Sequence, residues 1–314
     1  MAGLWLVLTA AAAAFAQPAA EPTDGGLGES LDVVGHGPGP ALWRVTGEAS
    51  TLWIIGVPAV VPADLSLSLD SIESAVAVSQ RYLAVPELVS KVANPLAAIG
   101  TLRKVKRLER NAGGKKLKDV LSRDRYFLFG RIRGRYAPRD SFEKLRPYAA
   151  AEELFELAVA AEGLSKPVAV LAAIRRAARK ASLESVRTSV EVLPKDLLAA
   201  LGSISAEQDL RCFDDTLSQL DSQLDQFRNR AEAWARGEAV PASDSADPRL
   251  PCGSSAEAFR GFIAVRDQAW LQAAETALRG TGSSVAALPM SEIERPEGLL
   301  GQLATQGYEV HRPH

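Results

Sequence analysis

The chain is poor in the side chains on which metal and nucleophilic chemistry draw, with three histidines, two cysteines and two methionines among 314 residues. Imidazole and sulfur are the ligands that transition metals prefer, so little material is present for such a centre. The histidines are also badly placed. His36 sits in a Gly/Pro-rich stretch, while His311 and His314 close the chain. That excludes Ser-His-Asp catalysis and zinc-binding histidine pairs on one helix. There is no Walker A run, no Gly-x-Ser-x-Gly elbow and no Asp-x-Asp-x-Asp calcium loop. Gly35-His36-Gly37-Pro38-Gly39 is interrupted by proline and does not open a helix after a strand, so it is no phosphate cradle. A net charge of -2, with 47% hydrophobic and 24% charged residues, rules out disorder and collagen-like repeats. The length fits one large domain or two small ones.

Residues 1–16 are apolar apart from Thr9 and end in Ala14-Phe15-Ala16, the small-x-small pattern that precedes signal-peptidase cleavage. This predicts a signal peptide and a periplasmic or secreted protein beginning at Gln17. The run falls short of the ~20 apolar residues of a spanning helix before Pro18 and Pro22 interrupt it. No Lys or Arg precedes it, so an uncleaved anchor stays open beside the cleaved peptide. Residues 17–40 hold six glycines and four prolines and read as a flexible linker. In an oxidising compartment Cys212 and Cys252 form the single intrachain bridge available; two separate buried thiols are the alternative.

Patterning places strands at both ends of the chain and helices between them. Leu42 to Val45 and Thr51 to Ile55 are β-prone runs joined by the turn Gly47-Glu48-Ala49-Ser50. Leu69 to Arg81 carries helical spacing and is followed by the β-like Tyr82 to Val85, as in a βαβ unit. Residues from about 95 to 280 read as a large helical insertion. Within it Leu210, Phe213, Leu217, Leu220, Leu224, Phe227, Ala231 and Trp234 alternate in steps of three and four, which predicts one long helix with an internal packing face or, alternatively, a dimerising coiled coil. Ser284 to Leu288 and Tyr308 to Val310 supply late strands around a helix over 296–306. The fold class is therefore α/β, a central mixed β-sheet built from N- and C-terminal segments with a large helical middle region, in a single domain over 41–310.

Pro40-Ala41-Leu42-Trp43-Arg44-Val45 and Ser50-Thr51-Leu52-Trp53-Ile54-Ile55-Gly56 resemble the start of the TraB/GumN family, relatives of the Tiki proteins. Leu145-Arg146-Pro147, Trp234-Ala235-Arg236-Gly237-Glu238, Arg266-Asp267, Gly298-Leu299-Leu300 and Gly307-Tyr308-Glu309-Val310 follow in the family's order. The resemblance implies an exported α/β protein whose relatives use two Gly-x-x-His motifs and acidic residues in a site like that of a metal-dependent peptidase. Here the first motif reads Gly56-Val57-Pro58-Ala59 and the second Pro289-Met290-Ser291-Glu292, so both histidines are replaced. The degenerate positions are Gly56, Ala59, Pro289 and Glu292. This reading expects no metal and no cofactor, and a binding or structural role in the cell envelope. The alternative is a hydrolase that holds a metal through atypical ligands or uses Glu87 and Glu292 as acid and base, with Arg266 as a further candidate.

Charge is unevenly distributed. Residues from Arg103 to Arg146 contain 16 Lys/Arg against five Asp/Glu, and Tyr126, Phe127, Phe129 and Tyr136 interleave with the arginines. On a surface this segment would grip an anionic envelope surface or an acidic polysaccharide; export argues against nucleic acid. The alternative places the aromatics in the core, with the basic side chains reaching outward to balance acidic neighbours.

Overall fold

The computed structural model describes residues 39–91, 94–139, 141–238 and 257–313. The segments expected as signal peptide and linker, apart from the last two linker residues, and Cys252 lie outside them. The chain begins with the hairpin β1 (Leu42–Thr46) and β2 (Ser50–Val57), closed by a bond from Gly47 N to Ser50 O of 3.0 Å. The short β3 (Val61–Pro62), α1 (Asp70–Ala77), β4 (Ser79–Leu83) and β5 (Glu87–Val89) follow. The middle contains α2 (Pro95–Leu108), α3 (Leu117–Val120), α4 (Arg123–Tyr136), α5 (Pro147–Ala161), β6 (Leu164–Ser165) and α6 (Val168–Lys180). Beyond these lie β7 (Glu184–Val186), β8 (Ser189–Glu191), α7 (Pro194–Ser203), α8 (Ala206–Ser222) and α9 (Leu224–Ala235). The last segment is α10 (Arg260–Arg279), β9 (Gly282–Pro289), α11 (Met290–Glu294), α12 (Leu299–Thr305) and β10 (Glu309–His311).

The central sheet runs β10-β1-β2-β9-β4-β7. β1 is antiparallel to β10 and β2, while β2, β9, β4 and β7 are parallel, so the sheet is mixed and both chain ends supply it, as expected. β9 enters between β2 and β4. Its Val285, Ala286, Ala287 and Leu288 are wholly buried, the continuous apolar run that a parallel strand covered on both faces requires. Alternation then divides the core. Ile55, Val57, Val285 and Ala287 pack with α1, α6 and Trp234 on one face. Leu52, Ile54, Ala286 and Leu288 pack with Trp270, Leu271, Ala274 and Leu278 of α10 and Leu299, Leu300 and Leu303 of α12 on the other.

Two expectations need correction. The helix expected over 69–81 ends at Ala77, because Ser79, Arg81 and Tyr82 already pair with β9. The middle is largely helical, as expected, and also supplies β7, an edge strand beside β4, and β8, which pairs with β5. The expected single long helix is two, α8 and α9, meeting at Gln223 with φ -128° and ψ -7°. The apolar stripe survives the break. Phe213, Leu217, Leu220, Leu224 and Phe227 fill a helical core with α4 and α5, and the bend carries Ala231 and Trp234 onto the sheet.

α5 starts on a fixed charge. Asp209 of α8 accepts Tyr148 N at 2.6 Å and Arg146 Nε at 2.8 Å, and Arg146 Nη2 donates to Ile204 O at 2.8 Å. A carboxylate thus satisfies an orphan N–H in the first turn of a helix led by Pro147. The Tyr148 hydroxyl nearby is buried with no hydrogen-bond partner among the described residues, and desolvation, opposed by Arg146, holds its pKa well above the usual range. Tyr148→Phe removes that stranded dipole and is expected to leave stability unchanged or raise it by about 1 kcal/mol. Urea unfolding with an unchanged m value tests this; a clear loss of stability would mean that the hydroxyl has a partner.

Candidate functional site

The C-terminal ends of β2, β9 and β4 lie side by side. Gly56 faces Leu288, Val57 faces Pro289, and Leu83 faces Ala286. This brings together the two segments read from the sequence as degenerate motifs, since Pro58-Ala59 leaves β2 just where Pro289 caps α11. Gly56 has no room for a Cβ: one placed there would collide with Met290 Sδ, lie 2.8 Å from Trp43 Cζ3 and 3.0 Å from Ile293 Cδ1. Its carbonyl accepts Trp234 Nε1 at 2.6 Å. The glycine of the first motif therefore allows α11 and α9 to close over the strand ends.

Glu292, where the second histidine is expected, is 6% exposed. Arg266 Nη2 reaches its Oε1 at 3.2 Å and Arg295 Nη2 its Oε2 at 2.9 Å. Arg266 also donates through Nε to Asp267 Oδ1 at 2.7 Å. Two guanidinium groups thus face two carboxylates. Burial raises the Asp267 pKa, Arg266 opposes the rise and Glu292 adds to it. α10 supplies Arg266 and Asp267 because its C-terminal end docks at the start of β2, where Ser50 Oγ donates to Leu278 O, which leaves its N-terminal half at the strand ends. Arg266 and Glu292, two of the residues singled out from the sequence, therefore meet.

Glu87 has a different partner. Its Oε1 accepts Arg175 Nη2 of α6 at 3.1 Å, and both side chains are nearly half exposed. α6 and α10 cover opposite faces of the sheet, so the ion pairs of Glu87 and Glu292 lie on helices of opposite faces. Tyr82 lies near Arg175 and Glu87; burial raises its pKa against the pull of Arg175. Among the described residues, no group of three or more His, Cys, Asp or Glu side chains is arranged to hold a metal ion. The donor set at the motif ends fits a metal poorly, since Ala59 and Pro289 offer no side-chain donor and both Glu292 oxygens accept from arginine. His311 approaches Glu309 at 3.5 Å in β10; His36 and His314 lie outside the described residues. Cys212 is buried on α8, and Cys252, its expected partner, lies outside the described residues.

Beside α11 lies a cavity of about 530 Å³ that the sequence did not announce. Trp43, Phe227, Trp234, Met290, Ile293 and Leu300 form its apolar wall. Arg230, Arg295 and Arg312 also line it, and Arg230 is paired to Glu294 at 2.9 Å. The spacing of Phe227 and Trp234 along the α9 stripe was the available signal, but it reads equally as core.

The basic segment divides in two. Arg125, Arg131, Arg135 and Arg146 pair with Asp214, Asp221, Glu162 and Asp209 at 2.7–3.2 Å. Phe129 is buried in the helical core, Tyr126 donates to Glu143 at 2.7 Å, and Phe127 is exposed. Much of the α4 charge is thus balanced internally. No helix among the described residues is long and apolar enough to cross a membrane. Comparison with known proteins gives no match among curated proteins or solved structures, whereas the family model described as TraB/PrgY/gumN family matches residues 41–312.

Proposed function

The chain belongs to the TraB/PrgY/gumN family, and from that membership we propose that it is an exported member with degenerate metal motifs that acts by binding in the cell envelope. One observation carries the proposal: Glu292, at the position of a metal-binding histidine, is held by Arg266 and Arg295. A carboxylate engaged in this way is a poor ligand, and no imidazole stands at Ala59. The cavity beside α11 is the binding site in this reading. Its aromatic wall suits an apolar molecule; Arg230 and Arg295 are paired to Glu294 and Glu292, which leaves Arg312 to meet an anionic group on it. A Cys212 to Cys252 bridge, tying the segment after α9 to α8, accompanies export in this proposal.

A second reading keeps hydrolytic chemistry, favoured by the contact of Asp267 with Arg266 beside Glu292 and by the raised Asp267 pKa, an arrangement from which a general acid is drawn. Elemental analysis of the parent and of the Ala59→His, Glu292→His double variant separates the binding reading from a metal-dependent hydrolase. The expected result is substoichiometric zinc and manganese in the parent. Stoichiometric metal in the parent, lost on Glu87→Ala or Glu292→Ala, would overturn the binding reading in favour of the hydrolase.

A further inference from the structure

α2 carries a face that the fold does not explain. Asn94 caps it, accepting Ala97 N at 2.8 Å, and Pro95 occupies its first turn. Its partly covered side, with Ala97, Thr101, Val105 and Leu108, leans on α7. The opposite side is open. Leu96 is 80% exposed, Ile99 48% and Leu102 58%, and their spacing of three sets them in one ridge. Of the eight large hydrophobic residues exposed among the described ones, three stand on this ridge, so it is a patch and not scatter.

Cations border the ridge. Residues 103–118 hold eight Lys/Arg against Glu109 alone. Lys106 pairs with Glu109 at 3.1 Å, while Arg103, Lys104 and Arg107 have no ion pair among the described residues. This is where α2 parts from α4, much of whose charge Asp214, Asp221 and Glu162 balance. Apolar side chains flanked by unpaired cations on an exposed helix are the composition of a segment that lies in a membrane interface.

We propose that α2 docks the protein on an anionic lipid surface, with Leu96, Ile99 and Leu102 entering among the headgroups and Arg103 and Arg107, on the same side of the helix, facing their phosphates. An acidic polysaccharide would use the charge but leave the ridge in water, so the ridge selects lipid. The inference uses no residue of the Glu292 cluster or of the cavity and stands or falls apart from the reading above.

The test is co-sedimentation of the full-length protein with phosphatidylcholine vesicles, with and without phosphatidylglycerol, across a salt series. Binding is expected only with phosphatidylglycerol and should weaken as salt shortens the reach of the charges. The Leu96→Ser, Ile99→Ser, Leu102→Ser triple variant, altered only at exposed positions, is expected to bind at least tenfold more weakly with an unchanged circular dichroism spectrum. In the otherwise native protein, Ile99→Trp should show a blue-shifted emission on these vesicles. No binding, equal binding by the triple variant, or retention on dextran sulfate that matches vesicle binding and ignores the ridge would each overturn the proposal.

Discussion

Replacing Arg266 by methionine is expected to destabilise the protein by about 3–5 kcal/mol, the range found when one partner of a buried ion pair is removed. The guanidinium reaches both Asp267 and Glu292, and without it the two carboxylates share only Arg295, whose side chain is 49% exposed. The loss should depend on pH. The folded pKa of Asp267 already lies above the ordinary value, so protonation favours the folded state, and stability is lost as pH rises through that folded value. Removing Arg266 enlarges the shift, and the deficit should be largest at neutral pH and shrink toward pH 4–5, about the ordinary carboxylate range. Urea unfolding of parent and variant at both pH values checks it. An equal deficit at both would mean that Arg266 acts by packing. Adding Glu292→Gln to the variant should recover part of the loss, because it removes one of the unbalanced charges.

Asp209→Ala is the second large change. It strips two bonds at once, from Tyr148 N and Arg146 Nε, and leaves a side chain 16% exposed carrying an unpaired charge. About 3–5 kcal/mol of destabilisation is expected. Asp209→Asn keeps an acceptor for Tyr148 N while losing the charge, and should fall between parent and alanine variant. Chemical denaturation of the three proteins gives the ranking; an alanine variant as stable as the asparagine one would show that the N–H bond contributes nothing. The arginine of Leu145-Arg146-Pro147 thereby has a structural reason in this chain: it links the start of α5 to α8.

What could be read from the sequence were the features that local pattern controls. The β1–β2 hairpin follows from two β-prone runs around Gly47, and β9 from an unbroken apolar run near the C-terminus. The break at Gln223 carries no proline or glycine to announce it; it is imposed by the stripe having to serve a helical core first and the sheet afterwards. β7 and β8 are three residues each, too short for a period to register. At the candidate site, Ala59 and Glu292 could be singled out from the sequence, but the partners of Glu292 could not. Arg266 is 26 positions away and reaches it only because α10 runs back along the sheet. The pairing of α4 arginines with α8 acids spans about 90 positions and was equally hidden.

The place of β9 between β2 and β4 sets an order on how the molecule can come into being. Ser50 pairs with Gly282, so the sheet's centre joins residues that leave the ribosome far apart in time. Until β9 is made, β2 and β4 each present a bare edge, the surface on which strands from other chains add. Contacts of such sequence separation close slowly. A chain stalled or truncated before Gly282 is therefore expected to be recognised as unfinished by chaperones and proteases, however complete its helical middle.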